Sequence, residues 1–465
     1  MSSEVQTLHD RISAALASSD PNVLKSAVTN VRSADIAEVL NLLDDDVRSR
    51  VIYALPSRTA AEVIVMLSEV ARGEVVEDMD EGKLTQLVTE LPPDDAADVL
   101  AELPEEQSED VLEQIADARS EQIETLMSYA ETSAGGIMNP ELLAVPASAT
   151  IAATIERVRA FGTHEDIHFV YVVDDERKLV GTLPLRRLVM HDPQTRLETI
   201  CDDDPVTVNV DEDQEIVVHI MRKYDVAAVA VVDTAQRLLG RITYDDVMDV
   251  AEEEAAEDLY RMAGTDAAEL ETTSPLRAAS VRMVWLTPCL FGTGLAAVVL
   301  AASHSVGFSV TQIQALILFV PAIAAMSGNA GIQTSTIIQH GFATGELAAS
   351  MLKRVFLREA KIALAVAFAC GLLGGGMAGI GLFGLKTIDM EVAMAADVLP
   401  VQIGLAVGLG MFCAIIEAGG LGIALPFIFR RIGVDPAIAS GPLITTINDG
   451  VSVTIYLLIA LAILT

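Results

Sequence analysis

Apolar residues return along this chain in three different rhythms, and each rhythm marks a region. Over residues 1–130 they recur every three to four positions between polar ones, the spacing of amphipathic helices, without strand-like alternation. Two near-copies, LPSRTAAEVI from Leu55 and LPPDDAADVL from Leu91, are offset by 36 residues, and LPEE starts a third at Leu103. Proline at the head of each helix, followed by acids in the first turn, suits a helix N-terminus. The pattern predicts short helices stacked as a small superhelix over residues 1–133.

The second rhythm is short β-branched runs. FVYVVDDERKLVG (169–181) matches AVAVVDTAQRLLG (228–240) at an offset of 59, pairing Asp174 with Asp233 and Gly181 with Gly240. Each copy reads as strand, turn, second strand and helix start. The repeat fills residues 137–250, and its two α/β copies are expected to pack face to face about a pseudo-twofold axis. After the second copy, GRITYDDV offers Thr243 and Asp246 to a nucleotide phosphate and ribose. The first copy continues GTLPLRRL and lacks both groups, so a nucleotide site here is half-equipped.

An acidic helix, DDVMDVAEEEAAEDLYRMAG from Asp245, then leads through a linker ending near 276. Asp246, Asp249, Glu253 or Glu254, Glu257 and Asp258 recur along it at three to four residues, a spacing at which like charges destabilise a bare helix. It is either a solvated linker or a connector whose repulsion divalent ions would relieve, compacting the soluble half.

In the third rhythm polar positions nearly vanish. Five apolar segments, roughly 284–303, 312–338, 362–384, 399–429 and 437–463, can each cross a bilayer, which takes about 20 helical residues. Pro426 is expected to bend the end of the fourth. Basic residues gather before the first span (Arg277, Arg282), between the second and third (Lys353, Arg354, Arg358, Lys361) and between the fourth and fifth (Arg430, Arg431). The connections SHSVGFS and KTIDMEVAMAAD are poor in base. Five spans with the N-terminus in the cytosol and the C-terminus outside satisfy this arrangement. The opening MSSEVQTLHDR has no apolar run, so no secretory signal is expected.

Charge follows the same division. Residues 1–276 carry 58 Asp and Glu against 21 Lys and Arg, whereas 277–465 carry 8 against 9. So large an acidic surface favours cations over nucleic acid as partners. Four scattered cysteines without a CxxC spacing suggest neither a zinc site nor a disulfide framework. No HExxH motif, phosphate-binding GxxxxGK loop or nucleophile–base–acid set appears, so an enzyme is not expected.

The spans hold the candidate chemistry. GLLGGGMAGIGLFG in the third has small-xxx-small spacings such as Gly371 with Gly375, suited to close helix packing or to exposed carbonyls along a pathway. In PAIAAMSGNAGIQTSTI, Asn329 and Gln333 share a helix face that should meet protein or water, for helix–helix hydrogen bonds or for a path. In the fifth span, Ser440, Gly441 and Pro442 should break helix near its start, and Thr445, Thr446, Asn448 and Asp449 then supply oxygens. Asp449 is the one charge in the thirty residues from Pro436 to Thr465. With no base nearby, it either faces a cation pathway or is protonated and hydrogen-bonded to another helix. Glu417 in the fourth span is open between ligand, structural partner and near-interface residue. Carboxylate, amide and hydroxyl ligands favour a hard divalent cation, without choosing magnesium over calcium or manganese.

PAIAAMSGNAGIQ (321–333) and DPAIASGPLITTINDG (435–450), with AGGIMNPE (134–141) and EEEAAEDLYRMAG (252–264), resemble the MgtE family of magnesium channels or transporters. The likeness runs through nearly the whole chain. It implies an all-helical N domain (1–133), paired CBS domains (134–198 and 199–250), a connecting plug helix (251–276) and a five-helix membrane domain (277–465). It implies a homodimer in the plasma membrane with a central magnesium-selective pore, in which Asp449 recognises the hydrated ion and Asn329 lines the same region. It implies that cytosolic magnesium, bound by acids between the domains, favours closure. Those sensor acids are Glu62, Asp94 and Asp98, then Asp213, Glu215, Asp225, Asp246 and Asp249, then Glu254, Glu257 and Asp258 of the plug. ATP binding between the CBS halves is implied for some members, here through Thr243 and Asp246.

Overall fold

The computed structural model describes residues 3–17, 21–161, 167–266, 269, 274–303, 307–344, 347, 351–387, 399–438 and 441–464. Ser440, residues 304–306 and residues 388–398 of the two base-poor connections lie outside them. The chain divides into two compact units, Met1–Glu253 and Glu254–Thr465.

The first unit begins with α1 (Ser3–Ala17), α2 (Pro21–Val28), α3 (Ser33–Leu40), α4 (Asp45–Ala54), α5 (Ser57–Val65), α6 (Glu69–Glu77), α7 (Glu81–Glu90), α8 (Pro93–Ala101), α9 (Glu105–Gln114) and α10 (Asp117–Met127). Each packs on the helix two further on, α3 on α5 and α5 on α7, α4 on α6 and α6 on α8, which is the layering of a superhelix. The repeat read from sequence is α5 and α8. Ala60, Ala61, Val63 and Ile64 are buried in one, and Ala96, Ala97, Val99 and Leu100 at the equivalent positions of the other. Pro56 and Pro92 precede them at the N-cap. Arginines join the layers. Buried Arg48 reaches Glu74 at 2.6 Å and donates to the carbonyls of Leu40 and Leu43, which satisfies the open end of α3.

The paired α/β domains follow. β1 (Ala144–Pro146), β2 (Phe169–Val173) and β3 (Leu179–Pro184) form one sheet, with α11 (Ile151–Phe161) and α12 (Leu185–Met190). β4 (Thr207–Asn209), β5 (Ala228–Val232) and β6 (Leu238–Thr243) form the second in the same order, with α13 (Gln214–Tyr224). In both, the first pair is parallel and the second antiparallel, with Val172 opposite Gly181 and Val231 opposite Gly240. The copies meet symmetrically: Leu179 N donates to Gln236 O and Leu238 N to Arg177 O, each at 3.0 Å. Asp174 and Asp233 each accept two backbone N–H groups of their own turns, which explains why both copies keep an Asp there. The apolar core of the N-terminal helices is continuous with Val208, Val229 and Val231 of the second copy. α14 (Tyr244–Ala263) follows β6 directly.

In the second unit α15 (Pro275–Ala302), α18 (Leu352–Thr387), α19 (Pro400–Arg431) and α20 (Gly441–Leu464) are long and apolar enough to cross a membrane. α16 (Val310–Ile317) and α17 (Val320–Ala343) together make a fifth span, bent by 40° at the break. The second expected span, 312–338, is therefore two helices rather than one. Pro321 lies in the first turn of α17, and its ring clashes with a helical carbonyl four residues back, at Ile317, where α16 stops. Pro426, by contrast, lies inside a continuous α19 and does not end it. Gly441 and Pro442 open α20 after a single 3-10 turn at Pro436–Ile438, so they start that span rather than interrupt it. The glycines of α18 pack: a Cβ on Gly375 would lie 2.6 Å from Gly404 O, and one on Gly408 2.8 Å from Gly371 O. Backbones touch along this seam because neither helix carries side chains there.

Candidate functional site

Asp449 lies in α20 against α15. An added Cβ on Gly292 would come 2.4 Å from Thr446 O, so the two backbones are close at this level. That approach brings Thr293 Oγ1 to 3.3 Å from Asp449 Oδ2, sharing its proton with Cys289 O at 3.0 Å. Asp449 is half-buried, and among the described residues no ion pair includes it. Thr445 and Thr446 donate to Gly441 O and Pro442 O, each at 2.7 Å, leaving only their lone pairs to a ligand.

Asn448, one residue earlier, is fully buried and faces α17, donating from Nδ2 to Ser327 Oγ at 3.0 Å and towards Ala324 O at 3.4 Å. Asn329 and Gln333 do share a face of α17, but it is the exposed one, whereas Ser327, Gly328 and Gly331 lie on the side that meets α20. Within one chain, then, Asp449 is partnered by Thr293 rather than by Asn329. Glu417 lies mid-way along α19, half-buried.

The end of α14 brings acids together in the second unit. Gly264 terminates it at φ +79°, and an added Cβ there would lie 2.4 Å from Pro442 Cγ. Arg261 pairs with both Glu257 and Asp435. Burial raises the carboxyl of Asp258 above its ordinary range; Asp435 and Glu254 push it further up, and Arg261 and His340 pull it down. Glu257 is raised by burial, against Arg261 and with Glu254, Asp435 and Asp266. The expected plug acids thus share an environment with Asp435. Sequence reading passed over Asp435, although it heads the quoted 435–450 motif.

In the first unit the other predicted acids divide. Asp94 accepts from Asn139 Nδ2 at 3.1 Å. Asp98 is open to solvent on one side, but protein crowding on the others pushes its carboxyl up to about 6, opposed by Arg72 and assisted by Glu131 and Asp246. Burial raises Asp246 too, countered by the Thr243 side-chain hydrogen bond. Asp249 is raised by burial and by Glu252 and Asp245. Asp94, Asp98 and Asp246 therefore gather with Glu131 and Asn139. The rest do local work. Glu62, the repeat equivalent of Asp98, binds Ser33 Oγ at 2.7 Å and Arg58 Nε at 3.4 Å. Asp213 caps α13 through Glu215 N at 2.9 Å, and Asp225 ends that helix in the left-handed conformation at φ 53°. Among the described residues no three acids, cysteines or histidines are close enough together to hold a bare metal ion.

The Thr243 hydroxyl donates to Asp246 Oδ2 at 2.6 Å and the Thr243 N–H at 3.2 Å, an arrangement that closes the N-terminus of α14. Pro184 and Arg187 occupy the matching places of the first copy, and Arg187 donates to Ile200 O at 2.9 Å. The Thr and Asp that could hold a nucleotide are thus present once.

A helical acidic unit and paired α/β domains, joined in sequence to apolar helices that carry the carboxylates Asp449 and Glu417, fit the class of divalent cation transporters. Family comparison agrees: residues 320–459 match the divalent cation transporter domain, 31–132 the MgtE intracellular N domain, and 134–192 and 197–253 CBS domains. The chain is 35% identical to a magnesium transporter MgtE of Thermus thermophilus over 342 residues, covering 73% of this chain and 72% of that protein. It is 35% identical to a magnesium transporter MgtE of Enterococcus faecalis over 340 residues, covering 73% and 71%. Its fold is similar to a crystal structure of the cytosolic domain of the Mg2+ channel MgtE in complex with ATP (TM-score 0.50, 32% identity, 52% of this chain and 99% of that one). The chain belongs to the MgtE family of magnesium transporters.

Proposed function

We propose that the protein is a magnesium-selective channel in the plasma membrane, with a cytosolic N-terminus and an external C-terminus, that admits Mg2+ and closes when cytosolic Mg2+ is high. The observation that carries this is Asp449, a carboxylate in a membrane helix with a threonine beside it and, among the described residues, no ion-pair partner. An uncompensated charge there is costly, and a passing hydrated dication removes the cost. As a homodimer the protein would bring two such carboxylates to one axis. Magnesium binding at Asp94, Asp98, Asp246 and the acids of α14 would relieve their mutual repulsion and favour the closed state. Thr243 and Asp246 would hold ATP. Magnesium uptake into liposomes should fall at least tenfold with Asp449→Ala while the protein stays folded; undiminished flux would refute the assignment.

A coupled carrier of divalent cations is the second reading, favoured by the additional carboxyl of Glu417 in α19. Single-channel currents from purified protein in planar bilayers support the channel, and their absence alongside robust uptake supports the carrier.

A further inference from the structure

Glu417 has no task in the pathway described above. Its Oε2 is sealed from solvent and accepts no hydrogen bond, and among the described residues no ion pair includes Glu417. Its depth follows from packing. Gly410 of α19 meets Tyr456 of α20, where an added Cβ would lie 2.7 Å from Tyr456 Cδ2. Seven residues towards the turn that joins these helices, α19 reaches Glu417 and α20 reaches Asp449. That is about 10 Å, or two turns, on each. Gly331 of α17 touches both the Ala418 carbonyl and Ile444, tying the three helices together just below. Glu417 and Asp449 therefore share a level in the membrane on neighbouring helices.

The other titratable groups on the helices packed against α19 are elsewhere. α16 has none, and α17 brings His340 near its cytosolic end. α18 brings Lys353, Arg354, Arg358, Glu359, Lys361, Cys370 and Lys386, but it packs on Gly419, about 200° round α19 from Glu417. On α20, Tyr456 is two turns above and donates to Leu316 O at 3.1 Å. Glu359 and Lys361 lie just before Ala363, which meets Gly419 on that far side, so Asp449 is the ionisable group at this level on the α20 side of α19.

We propose that Glu417 is a proton-binding site linked to the ion path. A carboxylate with a sealed, unpartnered oxygen in an apolar surround favours its neutral form. Glu417 holds a proton while the level of Asp449 is empty and releases it when a dication arrives. Linkage is reciprocal, so loss of that proton in turn favours the dication. A double charge one helix away favours the ionised carboxylate, so a bound dication moves the midpoint of Glu417 downward. The inference rests on Asp449 being the ion site and holds for channel and carrier alike.

The test is the initial rate of Mg2+ uptake by the full chain in liposomes, with magnesium inside kept low, from pH 5.5 to 8.5. Wild-type flux should rise through one titration step. Glu417→Gln, which mimics the protonated form, should stay near the acid-side level of the wild type at every pH. In detergent, Mg2+ should release more protons from the wild type than from Glu417→Gln or Asp449→Asn, in which only the acids of the soluble unit and α14 still exchange theirs. If Glu417→Gln fails to fold, Glu417→Asp carries the test through a displaced step. A profile or proton release that neither Glu417 substitution alters overturns the proposal. Flux that survives Asp449→Asn overturns instead the reading on which it rests.

Discussion

Asp98 shows how one residue links charge to stability and to the magnesium response proposed above. Its carboxyl is pushed up to about 6, because protein crowds it on most sides and Glu131 and Asp246 add their charge. The fold thus retains a proton there that an unfolded chain loses near pH 4. Between about pH 4 and 6 the native state binds more protons, so its metal-free stability falls as pH rises through that window. A dication bound beside Asp98 above pH 6 offsets the loss. Thermal melts of the full protein should therefore show Mg2+ raising the soluble transition at pH 7.5 and barely at pH 5. Asp98→Asn should raise the metal-free transition at pH 7.5 and shrink the magnesium response. Equal magnesium shifts at the two pH values would remove Asp98 from the sensor. Asp98 could be suspected from sequence because the repeat places it opposite Glu62. That only one of the two joins an acidic group could not, since Asp246 approaches it through the tertiary fold.

Elements were legible where their signal was local. Both repeats, the acidic helix and the apolar segments follow from spacing alone. The bend between α16 and α17 was available too, because Ser309 and Gln312 form a capping box that announces a separate helix, and Pro321 ends it at Ile317. Continuous hydropathy hid both signals. Thr293 was beyond reach, since its contact with Asp449 spans 156 residues of sequence and depends on which helices pack together. The glycine seam lies between these cases: composition suggested close packing, but only the structure separates glycines in contact from free ones. A Cβ on Gly375 would meet the Gly404 carbonyl at 2.6 Å, whereas Gly376 has nothing within 4 Å. Gly375→Ala forces two backbones apart and should destabilise by about 1–3 kcal/mol, with earlier loss of the monodisperse peak on heating and size-exclusion analysis. Gly376→Ala should be neutral or slightly stabilising. Similar behaviour of the two variants would refute the seam.

For the whole molecule, the proposed gating needs a route between the acidic and apolar halves, and α14 is the element that joins them in sequence. Its end holds Glu254, Glu257 and Asp258 near Asp435, with Arg261 the cation paired to two of the four. Burial and mutual repulsion raise Glu257 and Asp258, so this group is strained when ionised and free of metal. A ligand shifts a conformational equilibrium only through its difference in affinity between the states. If the closed state binds Mg2+ at these acids, neutralising two of them removes much of that difference while leaving Asp449 untouched. Each 1.4 kcal/mol of lost preference is about a tenfold rise in the concentration needed for closure. Glu257→Gln combined with Asp258→Asn should keep conducting at cytosolic Mg2+ that shuts the wild type, with inhibition displaced about tenfold upward. Neutralisation also relieves the repulsion, and if repulsion alone held the gate open, the same variant would be closed without magnesium. Flux measured against cytosolic Mg2+ separates these outcomes by sign. Displacement upward supports ion binding as the closing force, and a silent protein would show that the charge of α14 acts by itself.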